Sequence, residues 1–296
     1  MPPSDSVPQT ANPTSVQFAS TVSSSTTSTS DPVNSYFRDR VVLVTGGSGS
    51  LGSAVCEAFA RRGAKVVVNY AHDAKRAEDV VWRIRAFGGD AVAFRADVSD
   101  AADAERLVRS AAAAAGGRLD AVVTCARDTG PTAPLGATGA ADWRRVFAVN
   151  VDGLFHVIRA AGPLLAAVPG GGCVVAVVSG GCEKVPPMRV AYAASQNAAI
   201  SVAKGAAREC GNDGVRVNCV AAGRVRTEGF EEAVERVAVG SGRSVEDVIG
   251  DVVRAGGVAL GRLAEREEVA NAAVFLASGE ASGITGAVLE VGGGMW

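Results

Sequence analysis

A short run of β-branched and apolar residues, Val41-Val42-Leu43-Val44, passes through the turn Thr45-Gly46-Gly47-Ser48-Gly49-Ser50-Leu51-Gly52 into a helical pattern that closes at Gly63. No other stretch narrows the fold as far. A fully apolar strand must be buried on both faces, and a glycine turn feeding directly into a helix N-terminus lets the backbone come close to an anion. Gly46, Gly49 and Gly52 have the spacing that admits a pyrophosphate, but the same spacing serves any tight strand-to-helix turn, so the motif needs support from the rest of the chain.

That support begins with alternation. Apolar runs at 65–69, 91–94, 119–124, 173–178, 215–220 and 288–291 read as strands, and helical patterns at 77–87, 107–115, 143–165 and 193–210 lie between them. Strands that are apolar along their whole length and alternate with helices predict a parallel sheet covered on both faces. With 48% apolar content in 296 residues, a single large domain has ample core.

Composition excludes several roles. A formal net charge of −2 gives no field for nucleic acid or an anionic membrane surface. The six cysteines (Cys56, Cys125, Cys173, Cys182, Cys210 and Cys219) form no Cys-x-x-Cys pair, which argues against a disulfide framework or a zinc site and predicts no bound metal. Residues 1–37 are rich in Ser, Thr and Pro, lack a hydrophobic stretch and contain no Lys or Arg. They read as a disordered tail ahead of a domain over 38–296, with a cytoplasmic location; an organelle transit role for the tail stays open.

The ordered set of motifs resembles the classical short-chain dehydrogenase/reductase family. The resemblance runs from Thr45-Gly46 through Gly52 to Ala96-Asp97-Val98, Val149-Asn150-Val151 with Gly153, Ser179, Tyr192, Val215-Arg216-Val217-Asn218, Thr227 and Gly292-Gly293. It implies a single Rossmann-like doubly wound parallel sheet with helices on both faces. It also implies a dinucleotide held by Gly46, Ser48, Gly49, Ser50, Leu51, Gly52, Asn69, Asp97, Val98, Ala126 and Thr227. In that family a tyrosine moves the substrate proton, a serine holds the carbonyl oxygen, an asparagine organises a water relay, and a lysine binds ribose and acidifies the tyrosine. Tyr192, Ser179 and Asn150 match the first three; the fourth position holds Gln196.

The loss is large in energy. An ammonium about 5 Å from the phenol oxygen would stabilise phenolate by roughly 3 kcal/mol at an effective dielectric near 20. An amide cannot, although it can still hydrogen-bond a ribose hydroxyl. Alcohol oxidation, which needs tyrosinate, is expected to suffer more than carbonyl reduction. Lys204 is no substitute, since it lies about 20 Å further along the same helix. Two further departures flank the expected cofactor cleft: Ser50 replaces a small turn residue, and Thr124-Cys125-Ala126-Arg127 replaces Asn-Asn-Ala-Gly, so Arg127 either obstructs the dinucleotide, binds an anion or swings into solvent.

The second strand ends in Val68-Asn69-Tyr70 without the acid that grips a ribose 2′-hydroxyl, which favours NADP over NAD, with His72, Lys75 and Arg76 as candidates for the 2′-phosphate. Residues 228–257 are expected to form a lid, and 180–190 another wall of the pocket, carrying Cys182, Glu183, Lys184, Met188 and Arg189. Three functions fit. The first is a weakened NAD(P)-dependent carbonyl reductase acting on a small molecule. The second is a non-redox enzyme using Tyr192 and Ser179 in isomerisation, dehydration, aldol or cyclisation chemistry, and the third a nucleotide- or partner-binding pseudoenzyme. The resemblance further implies a homodimer or homotetramer.

Overall fold

The computed structural model describes residues 36–181 and 185–295. The expected tail therefore lies outside the described residues up to position 35, as do Cys182, Glu183 and Lys184 in the pocket wall. The boundary expected after residue 37 is corrected: Phe37 is only 1% exposed and meets Phe59 edge to face at 4.9 Å, while Arg40 lies over the Tyr36 ring. Two aromatic rings found a place under the first helix, so they belong to the folded unit.

Seven parallel strands make one sheet. They are β1 (Val41–Thr45), β2 (Lys65–Tyr70), β3 (Asp90–Arg95), β4 (Ala121–Thr124), β5 (Cys173–Ser179), β6 (Arg216–Ala222) and, last in the chain, β9 (Val288–Val291). Their order is β3-β2-β1-β4-β5-β6-β9, and every pairing is parallel. Helices α1 (Ser50–Ala60), α2 (Ala74–Ala86), α3 (Ala101–Ala113), α4 (Ala140–Phe147), α5 (Gly153–Ala166) and α6 (Val190–Cys210) carry the crossovers. The doubly wound fold expected from the alternation is thus the one adopted. Strand order reverses between β1 and β4, and such a switch point opens a crevice beyond the strands' carboxyl ends.

Amphipathic spacing explains how the helices cover the sheet. In α2 the buried residues Ala77, Val80, Val81 and Ile84 recur at i, i+3, i+4 and i+7, and the Asp73 carboxylate caps the helix by accepting from the Arg76 N–H at 2.9 Å. Alternate residues of each strand feed two cores on opposite faces: Val42, Val44, Val66 and Val68 on one, Val41, Leu43 and Val67 on the other. Each such valine contributes about 1.5 to 3 kcal/mol by burial.

The helix expected over 143–165 runs unbroken from 140 to 166 and widens in its middle. Between α4 and α5, Ala148–Asp152 forms a π turn, which brings Asn150 inward to 5% exposure. The extra residue in the turn lets one polar side chain leave the helix surface and enter the interior. Gly153 follows because a Cβ there would sit 2.9 Å from Val98 Cγ2.

Beyond β6 the chain makes β7 (Val225–Arg226), the lid helices α7 (Glu228–Ser241) and α8 (Val245–Ala255), then β8 (Ala264–Glu265) and α9 (Arg266–Ala277). The Ser244 hydroxyl caps α8 through the Asp247 N–H at 3.1 Å, as its sequence signal implies. The two-stranded pairing of β7 with β8 had no signal in residue pattern, because each strand is two residues long and its partner lies far along the chain.

Packing at the glycine turn predicts a sharp contrast. A Cβ on Gly52 would lie 2.2 Å from the Gly46 carbonyl oxygen, whereas at Gly49, with φ −76°, the nearest atom is 3.2 Å away. Gly52→Ala should destabilise by about 1 to 3 kcal/mol or more, while Gly49→Ser, a favourable helix N-cap, should stay within about 1 kcal/mol of the parent. Urea unfolding followed by circular dichroism separates the two.

Candidate active site

The glycine turn is held from below by Asn69. Its Oδ1 accepts from the Gly46 N–H at 3.2 Å, and its Nδ2 donates to the Ala96 carbonyl at 3.0 Å and the Phe94 carbonyl at 3.3 Å. Asn69 is 2% exposed, so this residue, expected to touch cofactor, faces the protein and shapes the turn instead. Gly46 takes φ +61°, and a Cβ there would strike Ala126 Cα at 2.7 Å. Thr45 Oγ1 accepts from the Ala126 N–H at 3.4 Å, which draws the end of β4 against the turn.

These contacts leave a cradle at the switch point. The first turn of α1 has no side-chain cap and no acid, so the N–H groups of Ser50 and Leu51 face outward with the positive end of the helix dipole. The missing Cβ atoms at Gly46 and Gly52 clear the approach. Asp97, at the end of β3, accepts from the Ser99 N–H and hydroxyl through Oδ1, at 3.0 and 2.7 Å. Val98 is buried against Gly153. The residues present fit a dinucleotide, because the glycine turn leaves the main chain at the start of α1 open to a pyrophosphate.

Tyr192 and Ser179 line one cleft of about 580 Å³, together with Leu51 of the glycine turn and Thr227 at the base of the lid. Ser179 ends β5 and Tyr192 lies in the first turn of α6, so two crossovers from separate parts of the chain meet at the carboxyl edge of the sheet. Thr227 caps α7 through the Phe230 N–H at 3.3 Å.

Asn150 and Gln196 are both buried and do not line that cleft. They meet instead at a cavity of about 20 Å³, room for one water, with Thr124 and Arg127. The Asn150 amide is fully engaged: Oδ1 accepts from the Asp128 N–H at 2.7 Å, and Nδ2 donates to the Asp128 carbonyl and to Ser195 Oγ, both at 2.9 Å. Ser195 Oγ in turn donates to the Tyr192 carbonyl at 2.7 Å. Asn150 thereby ties the loop after β4 to the tyrosine's own helix turn.

Gln196 does more than fill a lysine's place. Its Oε1 accepts from the Ser179 N–H at 2.8 Å, a bond that a lysine ammonium has no lone pair to make. The expectation that its amide meets a ribose hydroxyl narrows to the NH₂ end. One side of the site is therefore pinned by a neutral hydrogen bond where a cation was expected.

Positive charge enters from the opposite wall. The Arg189 guanidinium lies 5.1 Å from the Tyr192 ring centroid and donates to Thr132 Oγ1 at 3.1 Å. Arg224, Phe230 and Met295 also line the cleft. None of these three was picked out in the sequence, although Arg224 follows the carboxyl end of β6, where crevice residues of such sheets lie. Arg127 is exposed and lines both the cleft and the small cavity. Among the described residues no hydrogen bond or ion pair holds it across the nucleotide path.

The remaining candidates are placed as follows. Arg76 pairs with Glu228 at the start of the lid, and Arg266 reaches both Glu228, at 3.6 Å, and Ser50 Oγ, at 3.5 Å. His72 and Lys75 are exposed. The Cys125 thiol is pushed up to about 12 by burial, which makes it inert at neutral pH.

A sheet that switches order beside a glycine-lined helix N-terminus, with a tyrosine and a serine at its carboxyl edge, defines a Rossmann-like oxidoreductase. A family model described as Enoyl-(Acyl carrier protein) reductase matches residues 46–296. Versicolorin reductase 1 of Aspergillus parasiticus is 34% identical over 263 residues, covering 86% of this chain and 95% of the relative. A short-chain type dehydrogenase/reductase from Mycobacterium ulcerans superposes with a TM-score of 0.79 at 29% identity, covering 88% and 90% of the two chains. NAD⁺-bound xylitol dehydrogenase gives 0.78 at 27% identity, covering 87% and 99%. The chain belongs to the short-chain dehydrogenase/reductase family, and the enzyme it encodes is of the oxidoreductase type.

The bond between Gln196 and Ser179 can be tested by itself. Gln196→Glu keeps an acceptor for the Ser179 N–H, whereas Gln196→Leu leaves that donor unpaired in a buried setting and should cost about 1 to 3 kcal/mol. Chemical denaturation of the two variants measures the difference.

Proposed function

We propose that the protein reduces a carbonyl group of a small molecule with a nicotinamide cofactor, NADP in preference to NAD, and that Tyr192 is the proton donor. The observation that carries this reading is the meeting of Tyr192 and Ser179 in one cleft that also reaches Leu51 of the glycine turn. The nicotinamide, when bound, supplies the hydride that reaches the carbonyl carbon. Ser179 donates a hydrogen bond to the carbonyl oxygen and Tyr192 gives its hydroxyl proton to that oxygen as the C–H bond forms, which leaves an alcohol. The single-water cavity beside Asn150 and Gln196 is the place for a water that returns a proton to the site.

Reduction needs a neutral phenol and oxidation needs tyrosinate, so a neutral amide at Gln196 handicaps the second more than the first. Preference for NADP rests on the end of β2, Val68-Asn69-Tyr70-Ala71-His72, which carries no acid to repel a 2′-phosphate. Arg76, in the first turn of α2, is then a candidate for the 2′-phosphate, at the cost of its pair with Glu228. The same absence of a cation beside Tyr192 on the Gln196 side favours the second reading, a non-redox proton transfer on Tyr192 and Ser179. A groove of about 530 Å³ between α5 and α6, lined by Phe155, Pro163, Val202 and Cys210, supports a homodimer or homotetramer. No helix among the described residues is long and apolar enough to cross a membrane, and we place the enzyme in the cytoplasm.

Calorimetric titration with NADPH and NADH is the first test, and micromolar binding with NADPH the tighter ligand is expected. Absence of binding by both overturns hydride transfer and leaves the non-redox reading. If cofactor binds, Tyr192→Phe should lower kcat for ketone reduction at least about 100-fold, the usual worth of a positioned acid, with cofactor affinity held within a few-fold. Gln196→Lys should raise alcohol oxidation more than carbonyl reduction, read as the ratio of the two kcat values.

A further inference from the structure

The cleft that holds Tyr192 and Ser179 is lined by three guanidiniums, those of Arg127, Arg189 and Arg224, and by no carboxylate among the described residues. This bias is local, because the whole chain carries a net charge of −2. None of the three cleft arginines has an ion pair with a described residue, a state they share with Arg61, Arg95, Arg159 and Arg216; what sets them apart is that three guanidiniums converge on one cavity.

Two acids near them, among the described residues, are already used. Asp128, next to Arg127, turns its Oδ2 to Arg145 at 2.5 Å and accepts the Gly130 N–H through Oδ1 at 2.7 Å. Glu228, beyond Arg224, is taken by Arg76 and Arg266. The cations themselves are positioned. Arg189 is held by Thr132 and by the Tyr192 ring, and the Arg224 main chain is anchored by the Ala264 N–H at 3.1 Å. The Arg224 side chain packs on Gly256 at the end of α8, where a Cβ would come within 3.1 Å of its Nε. Guanidiniums left without acids in a concave, partly walled site focus field on an incoming anion and match its oxygens with paired donors.

We propose that the substrate of this cleft is an anionic carbonyl compound, its carboxylate held by Arg189 and Arg224 with Arg127 as the third positive corner. The proposal rests on the reading of Tyr192 and Ser179 as a carbonyl-reducing pair, and it adds the substrate class. Arg189 lies on the face of the Tyr192 ring, so an anion that it holds sits beside the phenol and presents a neighbouring carbonyl to Ser179.

The test uses the full-length protein with matched pairs of oxo acids and their methyl esters, and with the corresponding oxo phosphates as a second anion. Turnover with NADPH and calorimetric binding are both measured. The acid should show a KM roughly tenfold or more below its ester, the range of a charge-assisted hydrogen-bonded pair. Raising salt should raise KM for the acid and leave that of the ester. Arg189→Gln and Arg224→Gln should bring the acid-to-ester ratio toward one, while the lysine variants retain part of it. Equal handling of acid and ester overturns the anion site and leaves the reductase reading intact. Binding of the acid, sensitive to Arg189→Gln, without turnover of either compound overturns the reductase reading and upholds the anion site. A preference for the phosphate over the carboxylate overturns the carboxylate assignment, and failure of every anion to bind overturns the proposal as a whole.

Discussion

The close approach of Gly46 and Gly52 is the constraint on which the site depends. With no Cβ on either, the backbone of the turn folds onto itself and against Ala126, and α1 starts directly over the end of β1. Asn69 then stitches the turn to the end of β3 through three hydrogen bonds that satisfy a buried amide. Widening this junction by one methyl would separate β1 from β4 at the place where strand order reverses. Every functional residue stands on an element that leaves from that edge.

A second layer of polar contacts fixes the chemistry on the frame. Asn150, drawn inward by a π turn, holds the loop after β4 and the start of α6 in one network through Asp128 and Ser195. Gln196 holds the Ser179 main chain. Both side chains are buried and committed within the protein, so they act on Tyr192 and Ser179 by position.

Charge around the site is uneven. The first turn of α1 offers main-chain dipoles with the Arg266 guanidinium at Ser50 Oγ, and the residue four positions after Tyr192 on α6 is a neutral amide. On the substrate side Arg189, Arg224 and Arg127 bring charge from three different loops. The lid helices close this wall, with Phe230 and Gly256 at the cleft and Glu228 bound to Arg76 and Arg266 across its outer edge. Binding of a 2′-phosphate by Arg76 would compete with that ion pair, which links the adenosine end of the cleft to the lid.

Periodicity and glycine spacing determined much of this by themselves. Seven strands, their alternation with helices, the glycine turn and the positions of Asn150, Ser179 and Tyr192 are all readable because each depends on residues near one another in the chain. The position of Gln196, four residues after Tyr192, is readable for the same reason. Tertiary structure alone decided what those residues touch. Asn69 faces inward because β3 passes beside it, Gln196 finds the Ser179 N–H because β5 ends next to α6, and Phe37 joins the core because Phe59 offers it an edge. Arg127, Arg189 and Arg224 lie dozens of residues apart and carry no shared pattern. They meet only because parallel strands send each of their loops to the same edge of the sheet.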